Sequence, residues 1–345
     1  MAYTTIKKPS DYFNTITYTG DGSASRNITG VGFQPDWVWG KCRNVAVSHA
    51  VYDSVRGASN LLNTNSNSAE GTNPALNAFI SDGFTVNSDS YFNGNTNTYV
   101  AWNWLADNTS GSSNTNGNIT STVSANTTSG FSIGKWLGNS SASATVGHGL
   151  GTTPAVIITK ELNGTDYWHV WHKDLTNPNN LFLNTNSAQQ APGDGTISNV
   201  GSSTFGFQGA TNVVAVNESG INNVFYCFAE VKGFSKFGSY TGNGSTDGTF
   251  VYTGFKPAFV MIKSSSQVET SWVIVDNKRE GYNPDNNRLF PESNLAESTS
   301  DVVDLLSNGF KLRSGAGSSN GSGYTHTYMA FAEEPLVGDN PATAR

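Results

Sequence analysis

Two histidines in the segment WHVWHKD come closest to a metal-ligand spacing. His169 and His172 lie three residues apart. On a strand this spacing places the two imidazoles on opposite faces, so a shared metal ion would need a bulge or a turn. We therefore predict no metal site. With Trp168 and Trp171 the pair forms a candidate glycan-binding or partner-binding surface, because an exposed indole ring can stack on a sugar.

Three aspartates recur at the ends of aromatic or aliphatic segments. They are Asp53, Asp174 and Asp276, and an arginine follows the first and third of them at Arg56 and Arg279. A glycosidase needs two carboxylates that flank one sugar bond, whereas each segment here supplies one. We predict that each aspartate caps a turn and that the two arginines form ion pairs. No catalytic residue and no enzymatic activity is predicted.

Three lysines close apolar segments, each six residues after a proline. The prolines are Pro35, Pro154 and Pro257, and the lysines are Lys41, Lys160 and Lys263. Proline suits a strand start because it lacks the N–H that a ladder interior needs. A lysine that ends a strand reaches solvent, and at a sheet edge it discourages unwanted pairing. We predict this structural role for all three lysines.

Two glycine-rich phrases, YTGDGS at 18–23 and YTGNGS at 240–245, could be mistaken for phosphate loops. They lack the Gly-Lys-Ser/Thr ending and the strand–helix context of such loops. Asp-Gly and Asn-Gly supply the positive φ of hairpin turns. We predict hairpin turns and no cofactor.

The prolines, lysines and aspartates occupy matching positions in three copies of one unit, whereas the arginines and the glycine-rich phrases recur in two copies and the histidine pair belongs to the middle copy alone. After YTGDGS comes NITGVGFQPDWVWGK, and soon after YTGNGS comes FVYTGFKPAFVMIK; VGHGLGTTPAVIITK is a weaker middle copy. Self-similarity at a period of roughly 100 residues indicates tandem repeats. The predicted parts are an N-terminal arm (1–11), repeat 1 (12–106), a flexible Ser/Thr/Asn/Gly-rich linker (107–127), repeat 2 (128–233), repeat 3 (234–335) and a C-terminal tail (336–345).

The composition favours strands and turns. Charged residues are 13% of the chain and aromatic residues 12%, and turn residues separate many short aromatic and β-branched segments. Each repeat offers about seven or eight strand signals at the spacing of a sandwich or jelly roll. We predict an all-β fold of three tandem β-sandwich modules, jelly-roll-like or lectin-like, with minor short helices at 73–81 and 299–307.

Several classes of protein are disfavoured. The net charge is −7 and no basic stripe occurs, so nucleic-acid binding is not expected. The sequence contains no run of about 18 apolar residues, so membrane insertion is not expected. The first residues lack the apolar stretch of a signal peptide. Cys42 and Cys227 occupy different repeat positions, which predicts two free thiols.

The repeat phrases resemble those of a known module. GVGFQPDWVWGK, YDSVRGAS, SDGFTV, TYVAWNW, WVIVDNKREGYN and DLLSNGFKLR are similar to a tandem-repeat module of tailed-phage structural proteins, especially of marine phages and cyanophages. The resemblance also covers the opening MAYTTIKKPSDYF and the closing ATAR. It implies a virion component, often labelled tail fibre or tail protein. The module has no assigned activity, so the resemblance implies no catalytic residues.

From these features we expect a phage virion structural protein, assembled in the host cytoplasm, that acts as a tail-fibre or appendage component in host-surface attachment. Expected partners are other virion proteins, a host surface glycan, and copies of itself in a homo-oligomer, with a trimer as the first expectation. One alternative is a capsid decoration (cement) protein. Another is a glycan-degrading tail enzyme, which would need two carboxylates in one cleft.

Overall fold

Antiparallel β-strands are the main regular structure of the chain, with 42% of its residues in strands and 2% in helix. The structure, a computed structural model, describes residues 3–191, 193–209, 212–280 and 282–343. Within these ranges the strands form several antiparallel sheets, and none of the sheets closes on itself. The all-β fold class predicted from composition is therefore confirmed.

The strands fall into three consecutive sections. The first section holds a 3-10 helix (Pro9–Asp11), β1 (Phe13–Thr19), β2 (Arg26–Thr29), β3 (Trp37–Cys42), β4 (Ala50–Asp53), β5 (Asn60–Leu61), β6 (Gly71–Thr72), β7 (Leu76–Ile80), β8 (Gly83–Val86) and β9 (Thr98–Trp104). The second section holds β10 (Ser112–Asn114), β11 (Ser121–Asn126), β12 (Phe131–Leu137), β13 (Thr145–Gly147), β14 (Val156–Glu161), β15 (His169–His172), β16 (Leu181–Phe182), β17 (Thr196–Ser198), β18 (Thr204–Gln208), α1 (Val214–Asn217) and β19 (Asn222–Phe228). The third section holds β20 (Ser235–Thr241), β21 (Phe250–Tyr252), β22 (Phe255–Ser264), β23 (Val273–Asp276), β24 (Asp285–Arg288), β25 (Ser298–Leu306), β26 (Gly309–Leu312) and β27 (Thr325–Pro335).

One strand order recurs in the three sections. The first section has a sheet ordered β1-β9-β3-β4, and the third section has β20-β27-β22-β23. The second section has the corresponding order β12-β19-β14-β15 inside a seven-stranded sheet that β10, β11 and β16 extend. In each case the last strand of the section (β9, β19 or β27) lies between an early strand (β1, β12 or β20) and an apolar central strand (β3, β14 or β22).

A second, smaller sheet accompanies the main sheet of each section. Its order is β2-β8-β7 in the first section, β13-β18-β17 in the second and β21-β26-β25-β24 in the third. A separate hydrophobic core in each section draws side chains from both sheets. In the third section, for example, Val260 and Val275 of the main sheet share a core with Leu305 and Phe310 of the smaller one.

A further aromatic core is common to all three sections. Trp104, Phe228 and Phe331 occupy matching positions on the last strands, paired with Trp37, Val156 and Phe259. The ring centroids of Trp104, Phe228 and Phe331 form a triangle with sides of 6.3, 5.6 and 5.8 Å. The three main sheets therefore meet through equivalent residues.

The segment predicted as a flexible linker is partly strand. β10 and β11 both lie entirely within 107–127, and β11 pairs with β12 over six residues. Ser121, Val123 and Ser124 are buried there, and the Ser121 hydroxyl donates to the Gly147 carbonyl at 2.7 Å. Small hydroxyl side chains can be buried when they form hydrogen bonds. The low number of apolar residues in 107–127 therefore did not exclude a buried strand there.

Both segments predicted as short helices form strands instead. β7 covers most of 73–81, and β25 covers most of 299–307. Each pairs with the Gly-Phe strand that follows it, with Phe79 opposite Phe84 and Leu305 opposite Phe310. Tertiary pairing overrides a weak local helix preference.

The three repeat-defining prolines lie at or near strand starts. Pro35 and Pro154 each stand two residues before β3 and β14. Pro257 differs, because it lies inside β22 at a shift in the register with β27. A register irregularity is where a strand tolerates a residue without an N–H.

Candidate functional site

A buried ion pair joins Asp53 to Arg56 at the end of β4. Asp53 Oδ1 accepts the backbone N–H groups of Val55 (3.1 Å) and Arg56 (2.8 Å), and its Oδ2 accepts Arg56 Nε–H. The same oxygen accepts the hydroxyl of Tyr226 at 2.7 Å, from the last strand of the second section. The carboxylate thus caps a turn, forms an ion pair and links two sections.

The third section repeats this arrangement with Asp276 and Arg279. Asp276 Oδ1 accepts the Arg279 backbone N–H at 3.1 Å, and Oδ2 accepts Arg279 Nε–H at 2.7 Å. Trp102, on the last strand of the first section, donates its indole N–H to Asp276 Oδ2 at 2.9 Å. Arg279 also donates to Glu297 at 2.9 Å.

In the second section His172, not Asp174, occupies the equivalent position. Strand register aligns His172 opposite Val156, as Asp53 lies opposite Trp37 and Asp276 opposite Phe259. The sequence alignment of Asp174 with the other two aspartates is therefore two residues out of register. Asp174 forms a partly exposed ion pair with Lys173 at 3.1 Å.

His172 makes the third link between sections. Its Nδ1 accepts the backbone N–H of Asp174 at 3.1 Å, and its Nε2 lies 3.2 Å from the carbonyl of Tyr328 in the third section. Leu175 stands where the other sections have arginine, and it packs against the common aromatic core. The second section therefore replaces a buried ion pair by an imidazole and an apolar side chain.

A cyclic set of backbone hydrogen bonds accompanies these contacts. Each acceptor carbonyl lies two residues after one of the recurring lysines, and each donor belongs to another section. The bonds run from Glu70 N to Leu162 O (2.7 Å), from Gln189 N to Ser265 O (2.9 Å) and from Glu297 N to Arg43 O (2.6 Å). The first section thus contacts the second, the second contacts the third, and the third contacts the first.

The three lysines are buried, which overturns the prediction that they reach solvent at sheet edges. Their exposures are 0% for Lys41, 1% for Lys160 and 0% for Lys263. They are the penultimate residues of β3, β14 and β22, and each of these strands has a neighbour on both sides. Their ammonium groups donate hydrogen bonds to backbone carbonyls. Lys41 donates to Cys42 (2.6 Å), Lys160 to Glu161 (2.7 Å) and Lys263 to Thr270 (2.8 Å).

Burial also changes the acid–base properties of these side chains. It lowers the pKa of each of the three lysines to about 8, against the effect of a nearby carboxyl group. Burial raises the pKa of Glu161, beside Lys160, and of Glu292, beside Lys263, to about 7. Acidic neighbours of the buried lysines were not predicted from sequence. Glu161 directly follows Lys160, whereas Glu292 and Glu297, which act on Lys263 and Lys41, lie far from them along the chain.

The stability of the protein is expected to rise with pH above pH 8. The unfolded chain keeps its lysine protons to about pH 10.5, whereas the folded chain releases them near pH 8. Since the unfolded state then binds more protons, each lysine should add about 1 kcal/mol to the free energy of unfolding between pH 8 and 9. Urea unfolding of the wild type and of Lys160→Met should show a shallower pH dependence for the variant.

The control for this measurement is Lys173→Met at an exposed position. It should leave the slope unchanged. Burial also raises the pKa of Cys227, which lowers the free energy of unfolding as the pH rises and so opposes the effect of the lysines. This contribution is the same in the wild type and in both variants. Equal slopes for Lys160→Met and the wild type would contradict a lowered lysine pKa.

The residues predicted as a glycan-binding or partner-binding surface mostly face inward. Trp168 is 1% exposed and donates its indole N–H to the Asn63 carbonyl of the first section at 3.0 Å. His169 is buried against the ring of Phe182, and Trp171 packs on the core of its own section. His172 is also buried, so three of these four side chains are closed to a ligand and Trp171 is half-buried.

The remaining polar chemistry is dispersed. Within the described ranges no group of three or more His, Cys, Asp or Glu side chains is arranged to hold a metal ion. Cys42 and Cys227 are buried free thiols, as predicted. No helix in these ranges has the length and hydrophobicity that spanning a bilayer requires.

Comparison with known proteins places the chain in a family. A family model described as a domain of unknown function matches residues 8–335. The chain belongs to this family, DUF7483. Neither the curated proteins nor the solved structures yielded a significant match. The DUF7483 match spans all three sections together, including 107–127, and its description assigns no activity.

Two junction donors of this DUF7483 chain were missed by sequence reasoning. Tyr226 and Trp102 occupy the same register position of the last strand in their sections, opposite Ile158 and Trp39. The available signal was a hydrogen-bonding aromatic residue in the same place of two repeats. Nothing in the local sequence distinguishes a core ring from one whose polar atom binds another section.

Proposed function

We propose that the chain is a structural component of a tailed-phage virion, acting in a tail fibre or appendage that attaches to the host surface. We also propose that it consists of three tandem β-sandwich repeats packed about a common pseudo-threefold axis. The observation that carries the repeat arrangement is the cyclic set of contacts between sections, in which Asp53, His172 and Asp276 at matching positions each bind another section.

Three features support the repeat arrangement. The same strand order recurs in each main sheet. Equivalent rings of Trp104, Phe228 and Phe331 meet in a triangle. Each section also has its own core between two sheets. In this proposal 107–127 belongs largely to the sheet of the second repeat rather than separating two bodies.

The use of the recurring ionisable groups supports a structural role. Asp53 and Asp276 accept hydrogen bonds at both carboxylate oxygens and have no exposed surface. The three lysines donate to carbonyl groups in the interior. These residues stabilise the contacts between repeats. The phage assignment itself rests on the resemblance of the repeat phrases to tailed-phage structural proteins.

The test is to locate the protein on the virion and to measure its attachment. Antibodies against the purified protein should label the tail or its appendages in electron micrographs. The purified protein should bind host cells and reduce phage adsorption, whereas the heat-unfolded protein should not. Label confined to the head would favour a capsid decoration protein, and its absence from purified virions would overturn both assignments.

A further inference from the structure

The small sheet of the third section presents two aromatic side chains to solvent. On the edge strand β21, Phe250 is 44% and Tyr252 is 56% exposed, whereas Val251 between them is buried. Since side chains alternate along a strand, the two rings lie on the same outer face. Two large exposed rings side by side mark a surface for interaction rather than a core position.

The same outer face continues across the sheet with charged side chains. Phe250 lies opposite Lys311, and Lys311 lies opposite Asp304 on the next strand. Lys311 pairs with Asp247 at 2.8 Å, and Arg313 Nε donates to Asp304 at 2.6 Å. The face therefore combines aromatic rings with carboxylate and cationic groups whose charges balance.

An open depression adjoins this row. It has a volume of about 500 Å³ and is lined by Asn283, Pro284, Asp304 and Arg313. Arg313 directly follows β26 and donates to Asp304, the residue opposite Lys311, so it lies beside the face that carries the exposed rings. The rings and the depression thus form one surface that crosses the sheet.

Tyr3 extends the aromatic end of this surface. Its hydroxyl donates to the carbonyl of Gly254 at 2.6 Å, and Lys232 lies over its ring at 4.6 Å. A Cβ added to Gly254 would lie 3.0 Å from the hydroxyl oxygen of Tyr3 and 3.6 Å from that of Tyr252. The tyrosines therefore stand side by side.

The fold does not require aromatic residues at these positions. In the first section the corresponding strand β2 pairs with β8 in the same register, with Ile28 opposite Phe84 as Val251 is opposite Phe310. Asn27 and Thr29 stand there in place of Phe250 and Tyr252. Thr85 replaces Lys311, and its hydroxyl donates to Asn27 at 2.8 Å. Only the buried middle residue keeps its apolar character between these two strands.

We propose that this face, from Tyr252 and Phe250 to Arg313 and Asp304, binds an uncharged saccharide chain. Aromatic rings offer flat apolar surfaces for the C–H faces of sugar rings. Carboxylate and guanidinium groups accept from and donate to hydroxyl groups. Because the charges pair with one another, the face attracts neither an acidic nor a basic polymer. The inference rests on the proposed attachment function and assigns the attachment to one repeat.

The test uses the full chain and the double variant Phe250→Ser/Tyr252→Ser. Its matched control is Asn27→Ser/Thr29→Ser at the corresponding positions of the first section. The probes are cellohexaose, maltohexaose and the neutral polysaccharide fraction of the host envelope, measured by titration calorimetry. At least one probe should bind the wild type and the control, and the double variant should lose tenfold or more in affinity. All three proteins should have the same melting temperature, because the substituted side chains are exposed.

Other outcomes overturn the inference in distinguishable ways. If the wild type and the double variant bind host cells equally, the site is wrong while the attachment function stands. If no neutral saccharide binds, or only acidic polysaccharides bind in a salt-sensitive manner, the ligand class is wrong. Self-association of the wild type that the double variant abolishes would identify the face as a contact between copies. If the wild type does not bind host cells at all, the attachment function itself fails.

Discussion

Arg56→Leu is expected to lower the free energy of unfolding by about 3–5 kcal/mol, the usual cost of removing one partner of a buried ion pair. Arg56 and Asp53 have almost no exposed side-chain surface. Without the guanidinium, Asp53 keeps the Tyr226 hydroxyl and two backbone N–H groups but has no opposite charge in contact. Urea unfolding followed by tryptophan fluorescence measures this loss.

The second section provides the control for this experiment. There His172 and Leu175 occupy the positions of Asp53 and Arg56, so the double variant Asp53→His/Arg56→Leu copies an arrangement that the chain already contains. It should recover most of the stability lost in Arg56→Leu, because it leaves no buried carboxylate unpaired. A double variant less stable than the single one would contradict the equivalence of the two junctions.

Trp104→Ala is expected to cost about 3–5 kcal/mol, as truncation of a buried tryptophan does, and to destabilise all three sections together. The Trp104 ring lies within 6.5 Å of rings from each section, including Phe13, Phe228 and Phe259. Removing it opens a cavity at the point where the main sheets meet. Native-state hydrogen exchange should show reduced protection in β9, β19 and β27 alike.

Trp136→Ala is the matched control. Trp136 is also buried, but its ring contacts Phe205, Phe207 and Phe225 within the second section. The same substitution there should cost a similar free energy, with the loss of protection largest in the second section. If Trp104→Ala affected only the first section, the three sections would be independent bodies and the proposed common axis would be wrong.

Buried acidic groups illustrate what sequence reasoning could and could not predict. An ion pair between Asp53 and Arg56 was predicted, because three-residue spacing at a strand end brings the two groups together. The hydrogen bonds between Asp36 and the end of the first section were not predicted. Asp36 Oδ2 accepts the backbone N–H groups of Ala106 (2.7 Å) and Asn108 (3.0 Å), and burial raises the pKa of Asp36 to about 6. Its partners are about 70 residues away, beyond any local pattern.

The exposed aromatic surface had a partial signal in the sequence. Phe250 and Tyr252 flank Val251 in a strand-like segment, but three apolar residues in succession do not show which side of the strand is buried. Their exposure follows from the edge position of β21 and from its pairing with β26. Trp168 shows the opposite case, since it was predicted to belong to a glycan-binding or partner-binding surface, whereas the first section covers its indole.

Local patterns were sufficient for the all-β class and for the positive φ of Gly22 and Gly244, because alternation and turn residues act within a few neighbouring residues. The prediction that the two glycine-rich phrases form hairpin turns was wrong, since each phrase joins strands of different sheets, β1 to β2 and β20 to β21. Only the folded chain decided that the three lysines are interior, that His172 replaces an aspartate, and that Tyr226 and Trp102 bind the aspartates of other sections. Tyr226 lies 173 residues from Asp53, and Trp102 lies 174 residues from Asp276. Burial and hydrogen-bond partners depend on which sheets pack together, and strands far apart in the chain determine that packing.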